Sequence, residues 1–238
     1  MTLLAARHLT CGYNDVPVVQ GLELDVGAGE VVALLGANGA GKTTALMTLS
    51  GELPALSGEV VFQGEPTRAP LHKRARAGMA VVTETRSVFM SLSTVNNLRV
   101  GRVDVRKALE RFPELNNRLK VPAGLLSGGE QQMLTLARAL AREPTLLLAD
   151  ELSLGLAPLI VERLLRAVRA EADNGLGVLL VEQHIPRALE IADRAYVMRR
   201  GQIVMQGSAA ELKGRIAEIE ESYLSVEALT VPDSGDHS

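Results

Sequence analysis

The stretch "GANGAGKTT" combines glycines, a lysine and two threonines in the pattern G-x-x-x-x-G-K-[ST]. An apolar run, "EVVALL", precedes it and a helical pattern follows, so the motif predicts a loop between a buried strand and a helix. Such a loop turns its N–H groups towards phosphate oxygens at the N-terminus of the helix. The predicted phosphate contacts are Gly36, Ala37, Asn38, Gly39, Ala40, Gly41, Lys42, Thr43 and Thr44.

Two residues of this loop are expected to do more than cradle phosphates. Lys42 is predicted to reach the β and γ phosphates of ATP and to take part in catalysis, and the Thr43 hydroxyl is predicted to ligate Mg²⁺. The sequence therefore predicts ATP and Mg²⁺ as the cofactors.

A pair of carboxylates forms the second candidate group. In "TLLLADE" a buried strand ends at Asp150 and Glu151, at the edge where a parallel sheet opens its ligand crevice. Paired acids at a buried position are costly unless a cation is near. We expect Asp150 to be the Mg²⁺ partner and Glu151 to orient and deprotonate the attacking water. The alternative, two surface acids at a strand end, is less consistent with a phosphate loop in the same chain.

The third candidate is the segment "LLSGGEQQM", in which Ser127, Gly128 and Gly129 begin a helical pattern. Glycine inside a helix costs roughly 1 kcal/mol relative to alanine. A serine followed by two glycines exposes N–H donors beside a hydroxyl, which suits an anion. Because the chain already has one phosphate loop, we expect this segment to face the γ-phosphate of ATP held by a second subunit. The alternative is a plain N-cap followed by two glycines.

The elements that must position these groups indicate an α/β fold. Alternation in the first thirty residues, with turn signals at Gly12, at Asn14 to Asp15 and at Gly27 to Gly29, predicts antiparallel strands. Further predicted elements are buried strands at Met79 to Val82, Thr145 to Ala149 and Val178 to Val181, a hairpin pairing Ala195 to Met198 with Ile203 to Gln206, and helices from Lys42 to Gly51 and from Pro158 to Glu171. Strands that alternate with helices favour a parallel sheet. We predict a RecA-like phosphate-loop NTPase core with an N-terminal antiparallel β-subdomain.

The predicted domain organisation adds a helical insertion to this core. Residues 84–139 lack strand patterning and carry the helical patterns "STVNNL" and "DVRKALERF", so we assign them to a helical subdomain that includes the SGG segment. Residues 1–83 and 140–225 form the ATP-binding core. Residues 226–238 are polar and are predicted to be a disordered tail.

Composition excludes several classes of function. The net charge is −3, only 3% of the 238 residues are aromatic and none is Trp, which argues against a nucleic-acid face. The apolar runs fall far short of the ~20 residues of a membrane span, and the start lacks the features of a secretory signal. The single cysteine, Cys11, suits a reducing compartment. We therefore expect a cytoplasmic protein that binds no nucleic acid.

Taken together and in this order, "GANGAGKTT", "LSGGEQQ" and "LLLADE" resemble the ATP-binding subunits of ABC transporters, up to about residue 225. The resemblance implies an ATPase that forms a head-to-tail dimer. Each of two ATP molecules then lies between the phosphate loop of one subunit and the segment "LSGGEQQ", the family signature, of the other. Tyr13, in "CGY", matches the aromatic residue that stacks on adenine.

A narrower resemblance concerns the transported solute. The segments "SLGLAP", "VTETRSVF", "VEQ" and "FPELNNR" are similar to the LivF-type ATPase of branched-chain amino acid importers. This implies a partner ATPase, either a copy or a paralogue, a separate membrane permease and an extracytoplasmic solute-binding protein, with the chain at the cytoplasmic face of the membrane. The region around Glu84 to Phe89 and the helical subdomain are expected to bind the permease. A urea, amide or other amino acid importer, or a regulatory subunit with weak hydrolysis, are the alternatives.

Four positions depart from the pattern of the superfamily. Glu84 replaces the usual Q-loop glutamine and is a candidate oxygen ligand of Mg²⁺, Leu152 replaces a proline, and Gly155 replaces an aspartate that bonds across the dimer. Counted back from Asp193, the switch histidine aligns with Gln183, so we expect Gln183 to contact the γ-phosphate and His184 to be a bystander. Because glutamine cannot carry a proton, hydrolysis is expected to depend on Glu151.

Overall fold

The computed structural model describes residues 1–85 and 87–224, and only the backbone of residues 222 and 224. The strands are Thr2–Tyr13 (β1), Val16–Gly27 (β2), Val31–Leu35 (β3), Ser57–Phe62 (β4), Glu65–Pro66 (β5), Met79–Val82 (β6), Leu146–Asp150 (β7), Gly177–Glu182 (β8), Arg194–Arg199 (β9) and Gln202–Ser208 (β10). The α-helices are Lys42–Ser50 (α1), Leu71–Arg76 (α2), Thr94–Val100 (α3), Val105–Arg111 (α4), Gly128–Leu140 (α5), Pro158–Asp173 (α6), Ile185–Ile191 (α7), Ala209–Lys213 (α8) and Ile216–Leu224 (α9). The predicted tail, 226–238, lies outside the described residues.

The first sheet is antiparallel, with strand order β2-β1-β4-β5. Its β1–β2 hairpin turns at Asn14 and Asp15, whose φ angles of 49° and 63° are those that a two-residue hairpin loop requires. The antiparallel β-subdomain is confirmed. The turn predicted at Gly12 is wrong, because Gly12 pairs with Pro17 inside the hairpin ladder.

The second sheet has the order β10-β9-β3-β8-β7-β6, and all its pairs are parallel except β9 with β10. All five residues of β3 are buried. Val31 and Leu35 face a cluster that includes side chains of α5 and α6, whereas Val32 and Leu34 face α1 and the antiparallel sheet. The central strand is thus covered on both faces, as a continuous apolar run predicts, and the predicted α/β fold is confirmed.

Most of the predicted elements occur within one or two residues of their expected bounds. The predicted strand at Met79 to Val82 is β6, and the helix predicted from Lys42 ends with Gly51 as its C-cap. The short helix α2 was not predicted, because six residues are too few for a helical period to stand out. Its Arg74 donates to the carbonyl oxygen of Leu49 at 2.6 Å and so fixes α2 against the end of α1.

Helices α3, α4 and α5 lie between β6 and β7 along the chain, and those two strands pair directly. The segment therefore leaves and re-enters the sheet at adjacent strands. Ion pairs of Arg111 with Glu171 at 2.7 Å and of Arg163 with Glu114 at 2.6 Å connect it to α6. The domain limits at residues 84 and 139 stay a prediction. Within 1–85 and 87–224, no helix combines the length and the apolar character needed to cross a membrane.

Candidate functional site

The phosphate loop connects β3 to α1 and leaves the first turn of that helix open. Gly41, its N-cap, has a φ of 107° and provides no side-chain cap. An L-residue with a side chain would be strained at this angle. The N–H groups that begin α1 are therefore available to a ligand from outside the helix.

Lys42 is buried next to this loop, with 4% of its surface exposed. Its Nζ donates to the carbonyl oxygens of Gly36 at 2.9 Å and Ala37 at 3.1 Å. The same atom lies 3.4 Å from Oε1 of Glu151. Because the ammonium already faces the inside of the loop, phosphate oxygens entering there could replace carbonyl groups as its acceptors.

Asp150 ends β7 and is buried, with 3% of its surface exposed. Its Oδ1 is buried and has no hydrogen-bond partner within the described part of the chain. The pKa of Asp150 is raised to about 6, chiefly by burial and also by the negative charge of Glu151. The hydrogen bond from the Thr43 hydroxyl and the positive charge of Lys42 lower this pKa, but by less. An ionised carboxylate here lacks the solvation or pairing that a buried charge needs.

These properties fit a divalent cation held together with phosphates. The unpartnered oxygen of Asp150 and the hydroxyl of Thr43 are hard oxygen donors of the kind that Mg²⁺ prefers. No group of three His, Cys, Asp or Glu side chains in residues 1–85 and 87–224 is arranged to hold a metal ion by itself. In nucleotide sites, phosphates and water usually supply most of the ligands of Mg²⁺.

A cavity of about 510 Å³ and a second of about 380 Å³ meet at Glu151 and Leu154, which line both. The smaller cavity is the candidate ATP site. Its lining includes Tyr13, Asn38, Gly39, Gly41, Lys42, Thr43, Thr44, Glu84 and Glu151. The fold thus brings Tyr13, from the antiparallel sheet, and Glu84, after β6, to the phosphate loop. Ala40 is buried behind the loop, where its carbonyl oxygen accepts from the N–H of Gly201 at 2.8 Å.

Ser127 is the N-cap of α5 and does not line this cavity. Its hydroxyl accepts from the N–H of Glu130 at 3.2 Å, and the Glu130 carboxylate accepts from the N–H of Ser127 at 2.8 Å, which completes a capping box. A Cβ on Gly129 would lie 2.9 Å from Cγ2 of Ile160. The close packing of α5 on α6 therefore accounts for one of the two glycines. The role of Ser127, Gly128 and Gly129 towards ATP of a second subunit stays a prediction.

Gln183 and His184 follow β8 and line the larger cavity together with Glu151. Gln183 is exposed. His184 is the N-cap of α7, and its Nδ1 accepts from the N–H of Arg187 at 3.5 Å. The structure thus gives His184 a role in its own helix, while the contact of Gln183 with a γ-phosphate stays a prediction.

Residues 19–153 of the chain match the ABC transporter family. The chain is 42% identical to the high-affinity branched-chain amino acid transport ATP-binding protein BraG of Pseudomonas aeruginosa, over 93% of this chain and 99% of that protein. It is 37% identical to the probable branched-chain amino acid transport ATP-binding protein LivF of Archaeoglobus fulgidus, over 88% of this chain and 94% of that protein. The chain belongs to the ABC transporter family. As an ABC ATP-binding subunit, it is an ATPase.

Solved structures show the same ABC fold. An ATP-binding cassette of an ABC transporter in its ADP conformation superposes with a TM-score of 0.85 at 24% identity, over 94% of this chain and 99% of that one. The dimeric structure of a bacterial ABC transporter cassette superposes with a TM-score of 0.78 at 22% identity, over 87% of this chain and 99% of that one. Cassettes of this family work as dimers with membrane permease partners.

Sequence reasoning missed one hydrogen-bonded pair in this ABC ATPase, a buried glutamate and a partly buried serine. Glu182, the last residue of β8, is 2% exposed and accepts hydrogen bonds from the N–H of Ser153 at 3.1 Å and from its hydroxyl at 2.8 Å. Burial raises the pKa of Glu182 to about 7, and the two bonds from Ser153 only partly oppose this shift. The available signal was a glutamate at the end of the apolar run "VLLVE", where the period of a buried strand predicts an apolar residue.

Proposed function

We propose that this ABC ATPase energises the uptake of branched-chain amino acids through a separate membrane permease. The observation that carries this proposal is the 42% identity to BraG, which extends over nearly the whole of both chains. The proposed assembly contains a second ATPase subunit, either a paralogue or a copy of this chain, a permease, and an extracytoplasmic protein that delivers the solute. The chain acts at the cytoplasmic face of the membrane.

In the proposed cycle, the open N-terminus of α1 and Lys42 bind the β and γ phosphates of ATP. Thr43 and Asp150 hold Mg²⁺, with Glu84 as a further oxygen donor, and Tyr13 stacks on the adenine. The cation neutralises the charge that develops on the phosphate oxygens.

Hydrolysis then depends on Glu151, which orients the attacking water and accepts its proton. Glu151 is suited to this role because its carboxylate lies 3.4 Å from the ammonium of Lys42 and it lines the candidate ATP cavity. Gln183 donates a hydrogen bond to the γ-phosphate.

The ATP site is completed by a second subunit in this proposal. Ser127 and Gly128 present a hydroxyl and backbone N–H groups that, in a head-to-tail dimer, reach the γ-phosphate in the partner. The Ser127 oxygen accepts the N–H of Glu130 through a lone pair, so its own O–H stays free to donate to phosphate. This explains why a serine, rather than an aspartate, suits this N-cap: an aspartate would bring a negative charge to the phosphate.

Exposed apolar side chains support the permease surface proposed around Glu84 to Phe89, of which the structure describes all but residue 86. Phe89 and Met90 are each about half exposed, and Leu125 is 77% exposed. Exposed apolar side chains of this kind are typical of contact surfaces.

Uptake by whole cells tests the proposal. We expect deletion of the gene to abolish uptake of radiolabelled leucine, isoleucine and valine, and the wild-type gene to restore it. The Glu151→Gln variant is the matched control, because we expect it to keep the fold and to restore nothing. Normal leucine uptake after deletion, with loss of urea or another amino acid instead, would assign the ATPase to a different importer.

A dimerisation experiment distinguishes a copy from a paralogue as the second subunit. The Glu151→Gln variant is incubated with Mg-ATP alone and with the candidate paralogue, and the masses are measured by light scattering. A dimer that forms only in the mixture identifies a heterodimer, whereas a dimer of the chain alone identifies a homodimer.

A further inference from the structure

The carboxyl group of Glu182 lies at the carboxyl end of the parallel sheet, next to the proposed hydrolytic groups. It lines the larger cavity together with Glu151, Ser153 and Gln183. Within the described residues, both hydrogen-bond donors to its carboxyl group belong to Ser153, and both are neutral. The described residues contain no salt bridge to Glu182, and Glu151 and Asp150 act on it as like charges.

A buried carboxyl group in such surroundings is unfavourable for folding. Burial disfavours its ionised form, and two neutral donors compensate only in part. An apolar residue of similar size would fill the same space at lower cost. Since the position carries a glutamate, its hydrogen bonds to Ser153 point to a role beyond packing.

The geometry shows what these bonds hold. Glu151 has a φ of 46°, an uncommon angle for a residue with a side chain, and its N–H donates to the carbonyl oxygen of Val181 at 2.9 Å. Two residues later, Ser153 is held by the carboxylate of Glu182. The loop that carries Glu151 is therefore hydrogen-bonded at two points to the end of β8. Gln183 is the residue that follows β8 along the chain.

We propose that Glu182 is a positioning residue for ATP hydrolysis, which through Ser153 holds the loop of Glu151 in a fixed relation to Gln183. This inference rests on the proposed roles of Glu151 and Gln183. A general base must lie within hydrogen-bond reach of the water that it deprotonates, and small displacements of reacting groups are costly for rate. The hydrogen bonds from Ser153 to Glu182 hold the loop in the conformation that includes the strained φ angle of Glu151. In this conformation Glu151 and Gln183 line the same cavity.

The chain contains a matched pair for comparison. Ser208 and Glu211 make the same two kinds of bond, from N–H at 2.9 Å and from hydroxyl at 2.8 Å to one carboxylate. They form a local capping box at the exposed start of α8, outside the proposed site. A serine–glutamate pair that only stabilises the fold should behave like this one.

Hydrogen exchange on the full-length chain tests the tie without measuring hydrolysis. Three variants are compared. Glu182→Leu keeps the approximate size of the side chain but removes its acceptor oxygens, Glu182→Gln keeps one acceptor oxygen, and Ser153→Ala removes the hydroxyl donor. We expect Glu182→Leu to increase exchange about tenfold or more at the amide of Ser153 and the rest of its loop, since opening then no longer breaks a bond worth ~1.5 kcal/mol or more. Glu182→Gln should exchange like the wild type, and so should the phosphate loop in all variants.

Steady-state ATPase assays on the chain assembled with its partner subunit and permease test the consequence. Glu182→Leu and Ser153→Ala should lower kcat by about tenfold to a hundredfold, the scale of a misplaced catalytic group, with KM for ATP within about twofold of wild type. Glu182→Gln should recover most of kcat. Ser208→Ala and Glu211→Leu should leave both constants unchanged.

Two results would overturn the inference: a wild-type kcat for Glu182→Leu, or a parallel loss of kcat, ATP binding and folding that Glu182→Gln fails to rescue. The Glu151→Gln variant separates this failure from failure of the proposed mechanism. If Glu151→Gln abolishes turnover while Glu182→Leu does not, only the positioning role is lost. If Glu151→Gln turns over normally, the proposed role of Glu151 itself is wrong.

Discussion

Two helices of this ABC ATPase are proposed to meet phosphate at their N-termini, and the chain treats them differently. Helix α1 begins at Gly41, which provides no side-chain cap. Helix α5 begins at Ser127, where both halves of a capping box are present. The first terminus is open to a ligand, whereas at the second the N–H groups of Ser127 and Glu130 already bond to side chains of the same capping box.

The charges around the two helices differ in the same way. Beside α1, Lys42 and Asp150 are buried, and one oxygen of Asp150 has no partner among the described residues. Beside α5, Glu130 pairs with Arg118 at 2.6 Å near the surface. Although burial acts to raise it, the bonds from Arg118 and Ser127 hold the pKa of Glu130 below its usual value.

The two helix ends differ in the free energy that ligand binding can release. At the α1 end the buried carboxylate of Asp150 is incompletely paired until phosphate and cation arrive, so binding there relieves an existing cost. The capping box of α5 forms within one chain, so the fold of this helix end does not require the anion. The proposed contact with ATP of a second subunit would therefore form on an end that is already folded.

The largest expected effect lies at the α1 end. We expect Glu151→Gln to lower kcat by roughly 10² to 10⁴, the usual range for loss of a general base, because the amide cannot accept the proton of water. Binding of ATP should persist. Turnover is measured by phosphate release and binding by equilibrium dialysis, and an unchanged rate would remove Glu151 from this role.

Asp150→Asn should stabilise the chain in the absence of nucleotide and metal while abolishing Mg-ATP hydrolysis. The pKa of Asp150 is about 6 in the folded chain against a usual 3.8, so the folded state holds its proton more tightly than the unfolded state. The contribution of Asp150 to the free energy of unfolding of the wild type therefore falls as pH rises from about 4 to about 6. The variant escapes this loss, so its advantage grows over that range, is complete above pH 6 and reaches at most about 3 kcal/mol.

Urea unfolding in EDTA at several pH values from 4 to 8 measures this advantage. Asp173→Asn is the control, because Asp173 lies in an exposed ion pair with Arg169 and should show little change. An Asp150→Asn variant that is less stable than wild type at pH 8 would contradict the assignment of an uncompensated carboxylate to the α1 end.

Two variants of Ser127 test the α5 end. Ser127→Ala should lower the free energy of unfolding by ~1 kcal/mol through loss of the N-cap. Ser127→Asp should retain stability, because aspartate caps well, yet it should prevent the ATP-dependent dimer by placing a negative charge against the partner's phosphate. Stability is measured by urea unfolding and dimer formation by light scattering in the Glu151→Gln background. A normal dimer with Ser127→Asp would place the phosphate elsewhere.

The smallest effect is expected for the ion pair that supports the capping box. Arg118→Ala should lower the free energy of unfolding by only ~0.2 to 1 kcal/mol, because Arg118 is half exposed and water screens the pair. Added salt should reduce the difference further. A loss of several kcal/mol would show that the α5 end also depends on a charge that must be paired.

Local sequence patterns predicted much of the fold and of the phosphate loop. The apolar run of β3 and the glycines up to Gly41 indicated a strand, a loop and a helix, because their spacing and backbone requirements act over a few residues. The turn at Asn14 and Asp15 was among the predicted turns, whereas the short helix α2 and the pairing of Gly12 inside the hairpin ladder needed the structure. There the outcome depends on packing and pairing partners as well as on residue type.

The sequence by itself determined which residues could hold phosphate, and it showed that a buried strand ends at the acids Asp150 and Glu151. Only the tertiary structure decided that Ser153 bonds to Glu182. This contact depends on the order of strands in the sheet, with β8 between β3 and β7. Strand order is set by the burial of faces contributed from distant parts of the chain, and no local period encodes it.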